Sequence, residues 1–101
     1  MNSIQCRLLV VGQPKDLRQF VRLADWPEGF SEIEVLEIAG TRRSWQFSSA
    51  APPIPPLRLL AARWPQLTLL LDYDTGTVKG LAGLRGGGIT DHPVVYPLPA
   101  P

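Results

Sequence analysis

Two kinds of hydrophobic spacing alternate along the chain. The segment from Cys6 to Val11 is almost continuously apolar and rich in β-branched residues, which is typical of a central strand. After Gly12, apolar residues recur at the three- and four-residue spacing of one helical face, and Pro14 is tolerated in the first turn of such a helix. These positions are Leu17, Phe20, Val21 and Ala24. The pattern predicts a strand and then an amphipathic helix.

The next two segments, 31–38 and 42–49, favour strands because apolar and polar residues alternate in them. The tight sequence Ala39-Gly40-Thr41 lies between them, so the two segments are predicted to form a hairpin. On the second strand Arg43, Trp45 and Phe47 share one face.

A proline-rich entry, 52–56, precedes a second helical pattern. Its apolar positions are Leu57, Leu60, Ala61 and Trp64. Pro65 ends this helix, and Leu67 to Tyr73 is predicted to be a strand with every second side chain apolar. The segment 77–84 is predicted to add an edge strand or hairpin partner.

The predicted order is β, α, β, β, α, β, followed by a weaker strand. This order favours an α+β domain of the ferredoxin-like βαββαβ type over residues 1–85, with a mainly antiparallel sheet and an added C-terminal edge strand. Both helices are expected on one face of the sheet, which leaves the other face open to a partner. Residues 86–101, which begin with three glycines and end rich in proline, are predicted to be a flexible tail.

Composition narrows the classes of protein further. A net charge of +1 provides no general attraction for nucleic acid or an anionic membrane. No apolar run reaches the length of about 20 residues that a membrane-spanning helix needs. One cysteine and one histidine exclude an internal disulfide and a Cys/His zinc site, and we expect a cytoplasmic location.

The residues that could carry catalysis each have a simpler explanation. Asp72 and Asp74 stand two apart and could act as paired carboxylates, but Asp72-Tyr73-Asp74-Thr75-Gly76 is favoured as a turn. Cys6 is expected to be a buried small apolar residue, and His92 a solvated residue of the tail. The glycines of 83–88 lack the Lys-Ser/Thr ending and the helix of a phosphate loop. We therefore expect that the protein is not an enzyme and that it binds neither a metal nor a cofactor.

Four residues form the candidate binding set: Arg7, Arg42, Arg43 and Trp45. Arginines beside an aromatic on an uncovered sheet could hold phosphates and stack bases. The favoured alternative is that Trp45 and Phe47 point towards the helices and fill the core, with Arg43 at the rim.

Three segments resemble the YubB-like ferredoxin-like domains of plasmid and phage proteins. They are Arg7-Leu8-Leu9-Val10-Val11-Gly12, the run from Phe47 to Pro55 that contains Pro52-Pro53-Ile54-Pro55, and Trp64-Pro65-Gln66-Leu67-Thr68 with the following Asp72-Tyr73. The resemblance covers roughly residues 6–12 and 45–84, and it implies a ferredoxin-like fold in a protein of mobile elements.

Together these observations favour a small binding or regulatory module that contacts an unknown protein, or itself, through the open sheet face or an edge strand. The alternative is a nucleic-acid-binding domain that uses the arginines and aromatic residues of the sheet.

Overall fold

The computed structural model describes residues 3–95, which form two helices and six strands. The elements are β1 (Ile4–Val11), α1 (Pro14–Leu23), β2 (Phe30–Ile38), β3 (Arg42–Ser49), α2 (Ile54–Arg63), β4 (Thr68–Asp74), β5 (Val78–Arg85) and β6 (Gly88–Val95). The first six therefore follow the predicted order. Neither helix in this part of the chain has the length and apolar character needed to cross a membrane.

The strands form one open sheet in the order β2-β3-β1-β4-β5-β6, and every neighbouring pair is antiparallel. The described part of the chain is thus an α+β structure with two helices and a six-stranded antiparallel sheet. Strands β1 and β4 lie at the centre, so the middle of the sheet falls between them. Among the described residues β2 and β6 are the edge strands.

One face of the sheet carries the hydrophobic core. The buried apolar side chains of β1, β3, β4 and β5 recur at every second position and belong to a single cluster with those of both helices. Leu17 and Phe20 are the buried residues of α1, and Leu57, Leu60 and Ala61 are those of α2. The prediction that both helices cover the same face is confirmed, and within residues 3–95 no helix lies over the opposite face.

Aromatic packing closes one part of this core. The Phe20 ring lies 5.5 Å from the Trp64 ring, 5.9 Å from the Trp45 ring and 6.4 Å from the Trp26 ring, measured between ring centroids. These are distances at which aromatic pairs attract one another. Trp45 and Phe47 are 6% and 1% exposed, which confirms that they fill the core.

The C-terminal part of the chain differs from the prediction of a tail that begins at residue 86. Gly86 and Gly87 form a two-residue turn, and Gly88–Val95 returns as β6, paired with β5 over eight successive residues. Gly86 has a φ of 56°, which glycine adopts without steric cost and which such hairpin turns require. Residues 96–101, the rest of the predicted tail, lie outside the described residues.

A tyrosine ties this added hairpin to the sheet. The Tyr73 ring of β4 lies over Gly80 of β5, where any side chain would overlap the ring. The Tyr73 hydroxyl then donates a hydrogen bond of 3.0 Å to Oδ1 of Asp91 in β6. One side chain thereby connects three neighbouring strands.

Candidate binding face

The uncovered face of the sheet carries leucines at its centre. Leu9 of β1 and Leu70 of β4 stand directly opposite each other on the two central strands. Leu36 of β2 and Leu81 of β5, which stands opposite Asp72 in the adjacent row, lie on either side of this pair, and all four leucines line one groove. Leu36, Leu70 and Leu81 are 48%, 43% and 60% exposed, so the patch is accessible to a partner. We refer to Leu9, Leu36, Leu70 and Leu81 as the leucine row.

Charged side chains of both signs surround the leucine row. Antiparallel partners share a face, so the register assigns these residues to the open side. The basic members, among residues 3–95, are Arg7, Arg42, Lys79 and Arg85, and the acidic members are Glu34, Glu37, Asp72 and Asp74. The face is therefore balanced in charge.

Two of these arginines have close contacts on the open face. Arg42 Nε forms an ion pair of 2.6 Å with Glu37 Oε1 across the β2–β3 hairpin. Arg85 Nη1 lies 3.4 Å from Thr68 Oγ1. Arg7 stands opposite Gln46 on one side and Asp72 on the other. The charged groups are therefore arranged in rows across the strands.

The groove has a volume of about 660 Å³ and extends from β2 to β6. Arg7, Arg42 and Asp72 line it together with the leucine row, and so does His92 of β6. A smaller polar recess of about 300 Å³ adjoins it, lined partly by Gln5, Gln46 and Lys79. An apolar floor with a polar rim is typical of surfaces that bind another molecule.

The four residues predicted to form a binding set lie on both faces of the sheet. Arg7 and Arg42 line the groove. Trp45 is buried among the core residues, so it is not available for stacking, and Arg43 lies on the same helix-covered side. Arg43 is half-buried, and among the described residues its Nε is buried without an acceptor. The structure brings together two of the four.

Sequence analysis missed the leucine row and His92. The sequence predicts the buried face of the strand from Leu67 to Tyr73 correctly. Leu70, which lies between two buried leucines, points to the opposite face. His92, predicted to be a tail residue, lies in β6. It stands opposite Leu81 of β5 and lines the groove. The sequence does contain an indication of this face: leucines occupy consecutive positions in the same strands, so that some of them must point away from the core.

The side chains considered as catalytic candidates, Cys6, Asp72 and Asp74, have local environments that explain their presence without catalysis. Burial, together with the nearby charge of Asp72, raises the pKa of the Cys6 thiol to about 12, so the thiol stays protonated at neutral pH. Asp72 and Asp74 lie in β4, so the turn predicted from Asp72 begins only after Asp74, which accepts a hydrogen bond of 2.8 Å from the backbone N–H of Gly76. No group of three or more His, Cys, Asp and Glu within residues 3–95 is placed to hold a metal ion.

Comparison with known proteins adds no relative. No family model, no curated protein and no solved structure matches the chain.

Proposed function

We propose that this chain is a ferredoxin-like domain, extended by the β5–β6 hairpin, that acts as a small binding or regulatory module through protein–protein contact on its open sheet face. The element order β1-α1-β2-β3-α2-β4, the strand order β2-β3-β1-β4 and the two helices on one face support the ferredoxin-like assignment. The resemblance to YubB-like domains supports a role in a plasmid or phage. The free, buried Cys6 thiol supports a reducing, cytoplasmic location.

The observation that carries the proposal is the exposed leucine row on a sheet face that neither of the two described helices covers. Leaving these side chains in water forfeits about 25 cal/mol for each Å² of apolar surface that a partner could bury. Polar groups surround the row, as they surround the apolar centre of a protein–protein interface.

The edges of the sheet are less suited to contact than its open face. In β2 the register with β3 shifts between Ser31 and Glu34 and again between Val35 and Glu37, and Glu32 has a φ of 54°. Such bulges twist an edge strand away from a new neighbour. Pro93 in β6 removes one backbone donor from the other edge. Both edges thus have features that oppose pairing with another strand.

The same face favours protein over nucleic acid. Base stacking needs exposed aromatic rings. In residues 3–95 the phenylalanines, tryptophans and tyrosine are in the core or packed against it. Equal numbers of acidic and basic groups also give the face no net attraction for phosphates. Nucleic-acid binding through the arginines therefore has less support.

A photo-crosslinking amino acid at two matched positions tests the proposal in cells of the natural host. Leu81 is 60% exposed on the open face, and Leu59 is 70% exposed on α2, on the opposite side. We expect protease-sensitive adducts from position 81 and few from position 59, and we expect Leu70→Asp to abolish the former. Nuclease-sensitive adducts would instead support the nucleic-acid alternative. Equal adducts from both positions, or none from position 81, would rule the proposal out.

A further inference from the structure

We infer that the molecule on the open face is a second copy of this chain, so that two sheets pack face to face in a symmetric dimer. The inference rests on the proposed function and goes beyond it by naming the partner. Three properties of the face support it: its area, the order of its rows of side chains, and its balance of charge.

The area of the face is what a stable dimer needs. Six strands spaced about 4.8 Å apart, each rising about 3.3 Å per residue, cover roughly 25 by 25 Å. Two such faces in contact would remove roughly 1,300 Å² from water, within the range of about 1,200–2,000 Å² for specific interfaces. Sheets pack face to face at a separation of about 10 Å through interdigitating side chains. A second open sheet is therefore a partner of the right size and shape.

On the two central strands, rows of side chains complement themselves about one two-fold axis. Consider an axis that runs along the strands, between the central strands β1 and β4, and lies midway between the two sheets. This axis exchanges β1 with β4 and keeps each row at the same height. Leu9 then faces Leu70 of the second copy, because these two residues stand opposite each other in one row. Arg7 likewise faces Asp72 of the second copy.

The same operation also acts on the outer strands. The row that contains Arg7 and Asp72 continues to Glu34 of β2 at one end and His92 of β6 at the other. The axis exchanges β2 with β6, so Glu34 faces His92 of the second copy. An axis perpendicular to the strands, midway between the two rows, would place Leu9 over Arg7 instead. Of these two axes, the one along the strands is therefore the one that the side chains of the central strands favour, although it also exchanges β3 with β5 and so places Arg42 over Arg85 of the second copy.

Mixing two oppositely charged variants tests this geometry. Arg7→Asp alone places acidic groups against each other across the axis, and Asp72→Arg alone places basic groups against each other. When the two variants are mixed, the acidic groups at positions 7 and 72 of one chain face the basic groups at positions 72 and 7 of the other. Contacts within one chain do not change on mixing, so a gain in affinity reports contacts between chains.

Sedimentation velocity with one variant fluorescently labelled gives the dissociation constants. We expect a wild-type dimer of twice the chain mass of 11.1 kDa. Each variant alone should bind itself about tenfold more weakly or worse, and the equimolar mixture should return to within about threefold of wild type. Leu81→Ser should weaken the dimer and Leu59→Asp, on the opposite side, should not. Far-UV circular dichroism establishes that each variant is folded.

The outcomes separate this inference from the proposed function. A wild-type chain that stays monomeric up to millimolar concentration, or a mixture of folded variants no tighter than either alone, overturns the dimer. If crosslinks from position 81 to another protein persist in that case, the open face still binds protein and only the identity of the partner is wrong. If those crosslinks are absent as well, both proposals fall.

Discussion

The two faces of this sheet are built from the same strands and differ in what covers them. On the side of the helices, alternate residues of β1 and β4 such as Leu8, Leu69 and Leu71 are at most 1% exposed. Their immediate neighbours on the open side include Leu70, which is 43% exposed. Leucine thus serves as core on one side and as a candidate contact on the other. The position of the helices, rather than the hydrophobicity of the residue, decides which.

The largest expected effect compares adjacent leucines of β4. Leu71→Ala should reduce the free energy of unfolding by about 2–5 kcal/mol, because it removes buried contacts and leaves a cavity. Leu70→Ala should cost the monomer no more than about 1 kcal/mol, because Leu70 is largely exposed. Urea denaturation at a concentration that keeps the chain monomeric measures both. Equal losses would show that the open face is as much a part of the monomer's core as the covered face.

The glycine beneath Tyr73 provides the next largest effect. In Gly80→Ala the new methyl group would overlap the Tyr73 ring, which must move from its place above β5. We expect a loss of about 1–3 kcal/mol in the free energy of unfolding, as for other overpacked positions. Gly87→Ala is the matched control, since a methyl group there would meet nothing within 4 Å, and it should change stability by less than about 0.5 kcal/mol. Thermal unfolding of both variants decides whether the ring is held in place.

Most of the covered face could be predicted from the sequence, because its residues follow the spacing of each element. Leu17 and Phe20 in α1, and Leu57 and Leu60 in α2, fall at helical intervals and are buried. Not every residue of these patterns is buried: Val21 belongs to the predicted stripe and is 48% exposed. Residue spacing identifies which face of a helix points to the core. How many residues of that face are buried depends on tertiary packing.

The hairpin partner β6 was missed for a local reason. Asp91 occupies a position on the covered side, so the segment lacks the apolar alternation of a strand. Asp91 is exposed, and its carboxylate accepts the hydrogen bond from Tyr73, a contact 18 residues away in sequence. The Gly86-Gly87 pair, interpreted as the start of a tail, is also a favoured two-residue hairpin turn. The open face predicted from the sequence therefore lacks one strand, β6, which contributes His92 to the groove.

A smaller effect concerns the hydroxyl of Tyr73. Tyr73→Phe should lose about 0.5–1.5 kcal/mol at neutral pH, the net worth of a typical hydrogen bond. Burial, and then the hydrogen bond to Asp91 and the charge of Asp91, raise the pKa of Tyr73 above its ordinary value of 10.0. The folded state therefore holds this proton more tightly than the unfolded state.

The resulting stabilisation is complete below pH 10.0 and is lost as the pH rises beyond that value towards the raised pKa. Urea denaturation at a series of pH values should show a steeper fall for the wild type than for Tyr73→Phe above pH 10.0. Parallel curves would mean that the phenol is as free in the folded chain as in the unfolded one.

The smallest expected effect belongs to the ion pair on the open face. Arg42 Nε and Glu37 Oε1 are 2.6 Å apart, but the two side chains remain 56% and 45% exposed, so water weakens the attraction between their charges. Double-mutant analysis of Arg42→Ala and Glu37→Ala in the monomer should give a coupling of only about 0.2–1 kcal/mol, reduced further by salt. Such a value would fit a face whose charges contribute little to the fold of one chain. A coupling several times larger, unaffected by salt, would place this pair among the structural contacts and remove the contrast between the two faces.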